Sequence, residues 1–213
     1  MTTSTLRDGW LGDDPLPRDP VPIVQQWLAD AFHDGGQENP HAVALATVDP
    51  DGPGVRIVLC DSIDAARGAF TMYTNRKSRK GRALAHDPRA ALVFHWPGRQ
   101  VRVRGRVEWA PDAMSDAYFA RRPLDARLGA WASQQSEPVE SRAALLDAIA
   151  SVAERFDAHR EEDVVPRPPH WGGITLVAET VELWASRPGR IHDRAEWRRE
   201  APGGPWTVTR LQP

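Results

Sequence analysis

Between residues 42 and 109 five short apolar runs follow one another: AVALATV (42–48), RIVLC (56–60), AFTMYT (69–74), AALVFHW (90–96) and QVRVRGRVEW (100–109), with turn formers such as DPDGPG and PG between them. Runs of this length, rich in β-branched and aromatic residues and punctuated by Gly, Pro and Asp, read as strands of an antiparallel meander. The last run adds a direction to each face. Val101, Val103 and Val107 alternate with Arg102, Arg104 and Arg106, which buries one side of the strand and leaves the other wet and cationic.

Helices flank this block. Asp19 followed by Pro20 predicts an N-cap with proline at the first helical position, and Val24, Trp27, Leu28, Ala31 and Phe32 recur at helical spacing through residues 20–34. The middle of the chain turns helical, most clearly over 139–158, where Leu145, Ile149, Val152 and Phe156 form one stripe. Strands resume with GITLVA, TVELWAS, IHDRAEWRR and WTVTRL. The expected architecture is a mainly β barrel carrying helices, an α+β chain without repeats. Residues 19–213 are expected to form one domain, with 1–18 as a flexible N-terminal arm.

MTTSTLRDGW at the N-terminus has no apolar core of a signal peptide, and no apolar run long enough for a membrane span follows. A cytoplasmic protein with no membrane partner is expected. One cysteine, Cys60, excludes an intrachain disulfide framework and a CxxC-type zinc site, so no metal is expected.

The stretch YTNRKSRKGR (73–82) places Arg76, Lys77, Arg79, Lys80 and Arg82 in ten positions of a chain with a formal net charge of -2. Nucleic acid is a poor match, because 27 Lys and Arg stand against 29 Asp and Glu and no aromatic residues interleave with the cluster to stack bases. Two readings remain. The run is a solvated helix face, or it opens a helix near Ser78 whose free N–H groups and clustered cations hold a phosphate. Nucleotide-loop, HExxH and GxSxG signatures are absent from the sequence.

Seven ordered blocks carry a resemblance: RIVL (56–59), YTNRKSRKGRALAHDPRAALVFHW (73–96), RQVRVRGRVE (99–108), YFARRP (118–123), LGAWASQQS (128–136), PRPPHWGG (166–173) and ELWASRPGRIHDR (182–194). Together they resemble the pyridoxamine 5'-phosphate oxidase family over nearly the whole chain. The resemblance implies an FMN-binding split β-barrel, a homodimer with flavin at the subunit interface, and an FMN-dependent oxidase. In that reaction a hydride passes from the substrate to flavin N5, and O2 reoxidises the flavin with release of H2O2. Carried over by position, Arg79 and Lys80 would hold the FMN phosphate. Arg56 and the strand Ile57, Val58, Leu59 would run along the flavin, with Tyr73 and Thr74 continuing the wall. Gln100 would reach the isoalloxazine edge, Gln135 and Ser136 would come from the partner subunit, and Trp184 and Arg194 would complete the pocket. A plain core aromatic is the other reading of Trp184.

The resemblance makes Arg190 and His192 the catalytic, ring-contacting pair; without it His192 reads as a surface histidine in a strand turn. The family's phosphate-gripping Lys, Tyr, Arg and Ser correspond to Asp61, Tyr118, Arg122 and Ala126. Two of these depart, one with inverted charge. An anion placed beside a carboxylate instead of an ammonium loses on the order of 3 to 5 kcal/mol, although Arg121 and Arg127 stand near enough in sequence to substitute. The substrate expectations are therefore a vitamin B6 phosphate, as in the family, or a non-phosphorylated heteroaromatic such as a dihydrophenazine carboxylate, as in the related phenazine-biosynthesis flavin oxidases. A non-catalytic flavin-binding protein on the same barrel is the third reading.

Overall fold

The computed structural model describes residues 11, 12 and 14–213. Helix α1 (Val21–Asp34) precedes strands β1 (Ala42–Asp49), β2 (Gly52–Asp64) and β3 (Ala69–Asn75). Helix α2 (Arg79–His86), β4 (Arg89–Trp96), β5 (Arg99–Trp109), α3 (Asp112–Ala120), α4 (Leu124–Ala132) and α5 (Arg142–Phe156) follow, then β6 (Trp171–Ala185), β7 (Asp193–Arg198) and β8 (Thr207–Leu211).

All strands join one antiparallel sheet in the order β3-β2-β1-β4-β5-β6-β7-β8. A further pairing, Ala69–Asn75 of β3 against Trp171–Val177 of β6, closes the first six into a barrel. Closure removes the free edges that a six-stranded meander would otherwise expose. The second half of β6 continues past the barrel and carries β7 and β8.

GITLVA and TVELWAS, which the sequence presents as two strands, are one strand of 15 residues. The apparent break is a bulge: Arg104 opposes Thr180 while Gly105 opposes Ala178, leaving Glu179 as the extra residue. Backbones meet closely there, since a Cβ on Gly105 would lie 1.9 Å from the Val177 carbonyl oxygen. The alternation along β5 is as expected, with Val101 and Val103 fully buried and Arg102, Arg104 and Arg106 exposed.

The barrel interior is filled by Leu45, Phe70, Met72, Leu92, Phe94, Ile174, Leu176 and Leu183, and Val24 and Trp27 of α1 belong to the same core. Burial of this kind supplies most of the folding energy, at about 25 cal/mol per Å² of apolar surface. Asp19 accepts the Val21 amide at 2.9 Å, so it caps α1 one residue outside the first turn. Phe32, expected on the buried stripe, is 54% exposed and stacks on His41. A second, smaller core holds Leu124, Leu128, Ala158 and Val165 together, with Ile149, Val152 and Phe156 of α5 packed against it.

Of the expected arm 1–18, residues 1–10 and 13 lie outside the described residues. The rest is packed on the barrel: Leu11 and Leu16 are buried, the Trp197 indole donates to the Pro17 carbonyl at 2.8 Å, and Arg210 pairs with Asp14. No described helix is long and apolar enough to cross a membrane.

Candidate active site

The basic stretch lies where β3 runs into α2. Ser78 caps that helix from an extended conformation, accepting the Gly81 amide at 3.3 Å and donating to the Asn75 carbonyl at 2.7 Å. Glycine is required at 81, because a Cβ there would fall 2.2 Å from the Arg76 carbonyl oxygen. The Lys80 ammonium donates to Ser78 Oγ at 3.1 Å and to Gln135 Oε1 at 2.7 Å. Burial, and secondarily the Arg56 guanidinium, pull its pKa down to about 8. The Arg79 amide donates to Ser136 Oγ at 3.1 Å. Ser136 holds a left-handed backbone, φ 78°, a strained state that persists where its surroundings demand it. Gln135 and Ser136, expected from a partner subunit, therefore reach the helix N-terminus from within the same chain.

Arg56 donates to the Leu45 carbonyl and to the buried Thr47 hydroxyl, and burial lowers its pKa. From this end a cleft of about 440 Å³ runs along β2 and β3. Ile57, Val58, Leu59, Tyr73, Thr74, Lys80, Tyr118, Arg122, Ala126 and Gln135, all expected site residues, line it. Trp171, from the PHWGG block, also lines it and was not singled out beforehand. Tyr73 stacks on Tyr118 with ring centroids 3.8 Å apart, and Trp171 stacks on Tyr73 at 5.5 Å. Such a slab of parallel rings suits a flat aromatic ligand.

The Arg122 guanidinium lies 4.7 Å over the Trp171 ring, and its Nη1 is buried without a hydrogen-bond partner. Burial lowers its pKa. Such a group can accept an anionic or polar partner at low cost. Arg127, a sequence candidate to share the role, is instead buried and committed to the Asp163 and Glu161 carbonyls. Asp61 lies beyond Tyr118, where its charge, after burial, raises the pKa of both tyrosines.

The remaining expected residues assemble elsewhere. Gln100, Trp184 and Arg194 stand opposite one another across β5, β6 and β7. Arg194 is held by the buried carboxylate of Glu182 at 2.8 Å, which Arg102 also contacts at 2.8 Å. The His192 ring lies 4.6 Å from Trp184, and its Nδ1 accepts the Arg187 amide, which leaves Nε2 to carry the proton of the neutral ring. Arg190 is exposed, at the end of a Pro188–Arg190 turn with φ 62°. Trp171 and Trp184 are thirteen residues apart on the single strand β6, about 43 Å of extended chain.

Two family models match the chain. Residues 30–156 match the pyridoxamine 5'-phosphate oxidase model, and 171–213 match the pyridoxine 5'-phosphate oxidase C-terminal dimerisation region. The chain belongs to the pyridoxamine 5'-phosphate oxidase family. A pyridoxine/pyridoxamine 5'-phosphate oxidase of Rhodopseudomonas palustris (strain HaA2) is 49% identical over 206 residues, covering 95% of this chain and 93% of the relative. One from Bradyrhizobium sp. (strain ORS 278) is 46% identical over 213 residues, covering 99% and 95%. Among solved structures, PhzG from Burkholderia lata 383 in complex with tetrahydrophenazine-1-carboxylic acid superposes with a TM-score of 0.83 at 30% identity, over 94% of this chain and 95% of that one. A related FMN-binding protein from Nostoc punctiforme shares the fold at 17% identity and a TM-score of 0.69, over 89% of this chain and 97% of that one. As a member of this oxidase family the chain is an oxidoreductase with the split-barrel fold.

Proposed function

We propose that this protein is an FMN-dependent oxidase that works as a homodimer and oxidises a carbon attached to a heteroaromatic ring. The observation that carries the reading is the cleft itself. It has a helix N-terminus with a half-buried ammonium at one end, a slab of stacked aromatic rings along its wall, and at Arg122 a guanidinium whose Nη1 has no hydrogen-bond partner. The residues fit FMN: Arg79, Lys80 and the first amides of α2 would hold the phosphate, with Arg56, Gln135 and Ser136 around them and Ile57, Val58, Leu59, Tyr73 and Thr74 along the ring system. Bound flavin would supply the redox chemistry, accepting a hydride at N5 and passing the electrons to O2 as H2O2.

The chain's own residues do the positioning. Arg122 and Tyr118 would bind a polar arm of the substrate, with Ala126 beside them. Arg190, His192, Gln100, Trp184 and Arg194 would come from the second copy, because Trp184 and its neighbours stand at the other end of β6 from Trp171 in their own chain. Arg190 would stabilise charge on the ring as the hydride leaves, and His192 would donate from Nε2. The exposed apolar side chains Val55, Ile57 and Leu59 on β2, 71%, 66% and 48% exposed, support a covering second copy next to the cleft.

The lead substrate class is the vitamin B6 group, supported by relatives 46 to 49% identical over nearly the full length. A heteroaromatic carboxylate is the second reading, favoured by Asp61 and Ala126 and by the tetrahydrophenazine-1-carboxylic acid bound in the PhzG structure. Purified protein should be yellow and dimeric by light scattering, and should produce H2O2 with pyridoxamine derivatives or a reduced phenazine carboxylate. Stoichiometric FMN on a monomer would refute the shared site, and a bound flavin that no ring compound reduces would leave a binding protein in place of an oxidase.

A further inference from the structure

A second cavity of about 240 Å³ lies beside the cleft, lined by Leu28, Phe32, His41, Leu59, Cys60, Asp61 and Tyr118. Leu59 and Tyr118 line both spaces, so the two adjoin. Two of its polar groups have no partner among the described residues. Among the described residues the Asp61 carboxylate makes no hydrogen bond and no ion pair, and the His41 Nδ1 is buried without a partner while its ring stacks on Phe32. The rest of the lining is apolar. A lone carboxylate in such a space attracts a hydrogen-bond donor or a cation and repels an anion.

Asp61 acts on the cleft as well as on its own cavity. After burial, its charge is the largest influence raising the pKa of the Tyr73 and Tyr118 phenols. A dianion resting against those phenols would feel the same field.

We propose that Asp61 and His41 form a substrate subsite, opening off the cleft past Tyr118, that accepts a hydrogen-bond-donating arm, a hydroxyl or an ammonium, in place of a phosphate. This rests on the reading of the cleft as the substrate site. The preferred substrate is then a ring compound not phosphorylated on the arm facing Asp61. A hydroxymethyl group can donate to the carboxylate and pair with the buried His41 Nδ1 at once.

Pyridoxamine and pyridoxamine 5'-phosphate differ only in that arm, so their ratio isolates the subsite. Quenching of tryptophan fluorescence, with Trp171 stacked beside Tyr118, reports binding of either compound with or without flavin. Wild type is expected to bind pyridoxamine about tenfold more tightly than its 5'-phosphate, Asp61→Asn to lose most of that preference, and Asp61→Lys to reverse it. Asp61 is exposed on β2 and supports no contact in the fold, so these variants fold. Tighter binding of the phosphate by wild type, or a ratio unmoved by Asp61→Asn, overturns the proposal. Flavin content measured on the same samples keeps the outcomes apart. A protein that never takes up FMN defeats the oxidase reading, while the ratio still decides the subsite.

Discussion

Lys80 offers the sharpest test of where the flavin phosphate sits. Its pKa stands at about 8 because burial, and then Arg56, disfavour the ammonium. A phosphate placed against it restores the charge, so binding takes up a proton above that pH. The phosphate monoester itself is a dianion throughout this range, its second pKa being about 6. The apparent Kd for FMN should then scale as one plus ten to the power of pH minus 8, about 1.1 at pH 7 and about 11 at pH 9, a tenfold loss of affinity. Riboflavin lacks the phosphate and should show no such slope. Lys80→Met should weaken FMN by about 10 to 150-fold, the size of one charge-assisted hydrogen bond, and flatten the pH dependence. The ligand-free fold responds with the opposite sign. An unfolded lysine keeps its proton up to the ordinary 10.5, so the unfolded state binds more protons between pH 8 and 10.5 and stability rises with pH across that window. Fluorescence titration of both flavins at pH 7 and 9 settles the matter; parallel losses for FMN and riboflavin, or an undiminished slope in Lys80→Met, would refute it.

Gly105→Ala should lower the Tm by about 10 °C, since its Cβ would meet the Val177 carbonyl at 1.9 Å in the seam that closes the barrel; a wild-type Tm in scanning calorimetry would show that the seam yields. Arg122→Ala should weaken pyridoxamine 5'-phosphate by about 10 to 100-fold, with a smaller loss for pyridoxamine. Its effect on the ligand-free Tm should be small, limited to the contacts with the Trp171 and Phe119 rings, because Nη1 has no hydrogen-bond partner to lose; a large drop in Tm would make Arg122 structural. The Cys60 thiol, pushed up to about 12 by burial and then by Asp61, should resist maleimide at pH 8 in the folded protein and react on unfolding. Rapid labelling of native protein, followed by mass spectrometry, would contradict its burial.

Strand positions were legible because turn formers punctuate runs of period two, and each of the five runs between 42 and 109 lies inside an observed strand. The bulge at Glu179 was not, since one exposed acidic residue inside an apolar run looks the same as a turn until the partner strand is known. Phe32 misled for a related reason: helical spacing gives a face, and the end of α1 overhangs the barrel. At the site, the blocks around SRK and QS identified residues that do meet, Lys80 with Gln135 and Arg79 with Ser136. That they meet within one chain depends on how the segment after α4 returns to α2, which no local pattern encodes. Trp171 escaped notice because its role comes from the Tyr73–Tyr118 stack beside it.

The length of β6 ties these observations together. It starts at the ring-lined cleft and its first half closes the barrel against β3, while its second half carries Trp184, with Arg194 opposite on β7 and His192 beside it. The same strand that completes the core thus holds the second group of expected ring contacts away from the first by construction. Shortening it would break the barrel seam, and on the proposed reading a ligand contacting both lies between two copies. Affinity for that ligand and assembly of the dimer are then linked equilibria: ligand bound only at the interface stabilises the dimer, and dilution below the dimer dissociation constant releases it. For such a site, flavin retention at high protein concentration and flavin loss on dilution are the same property seen from two sides.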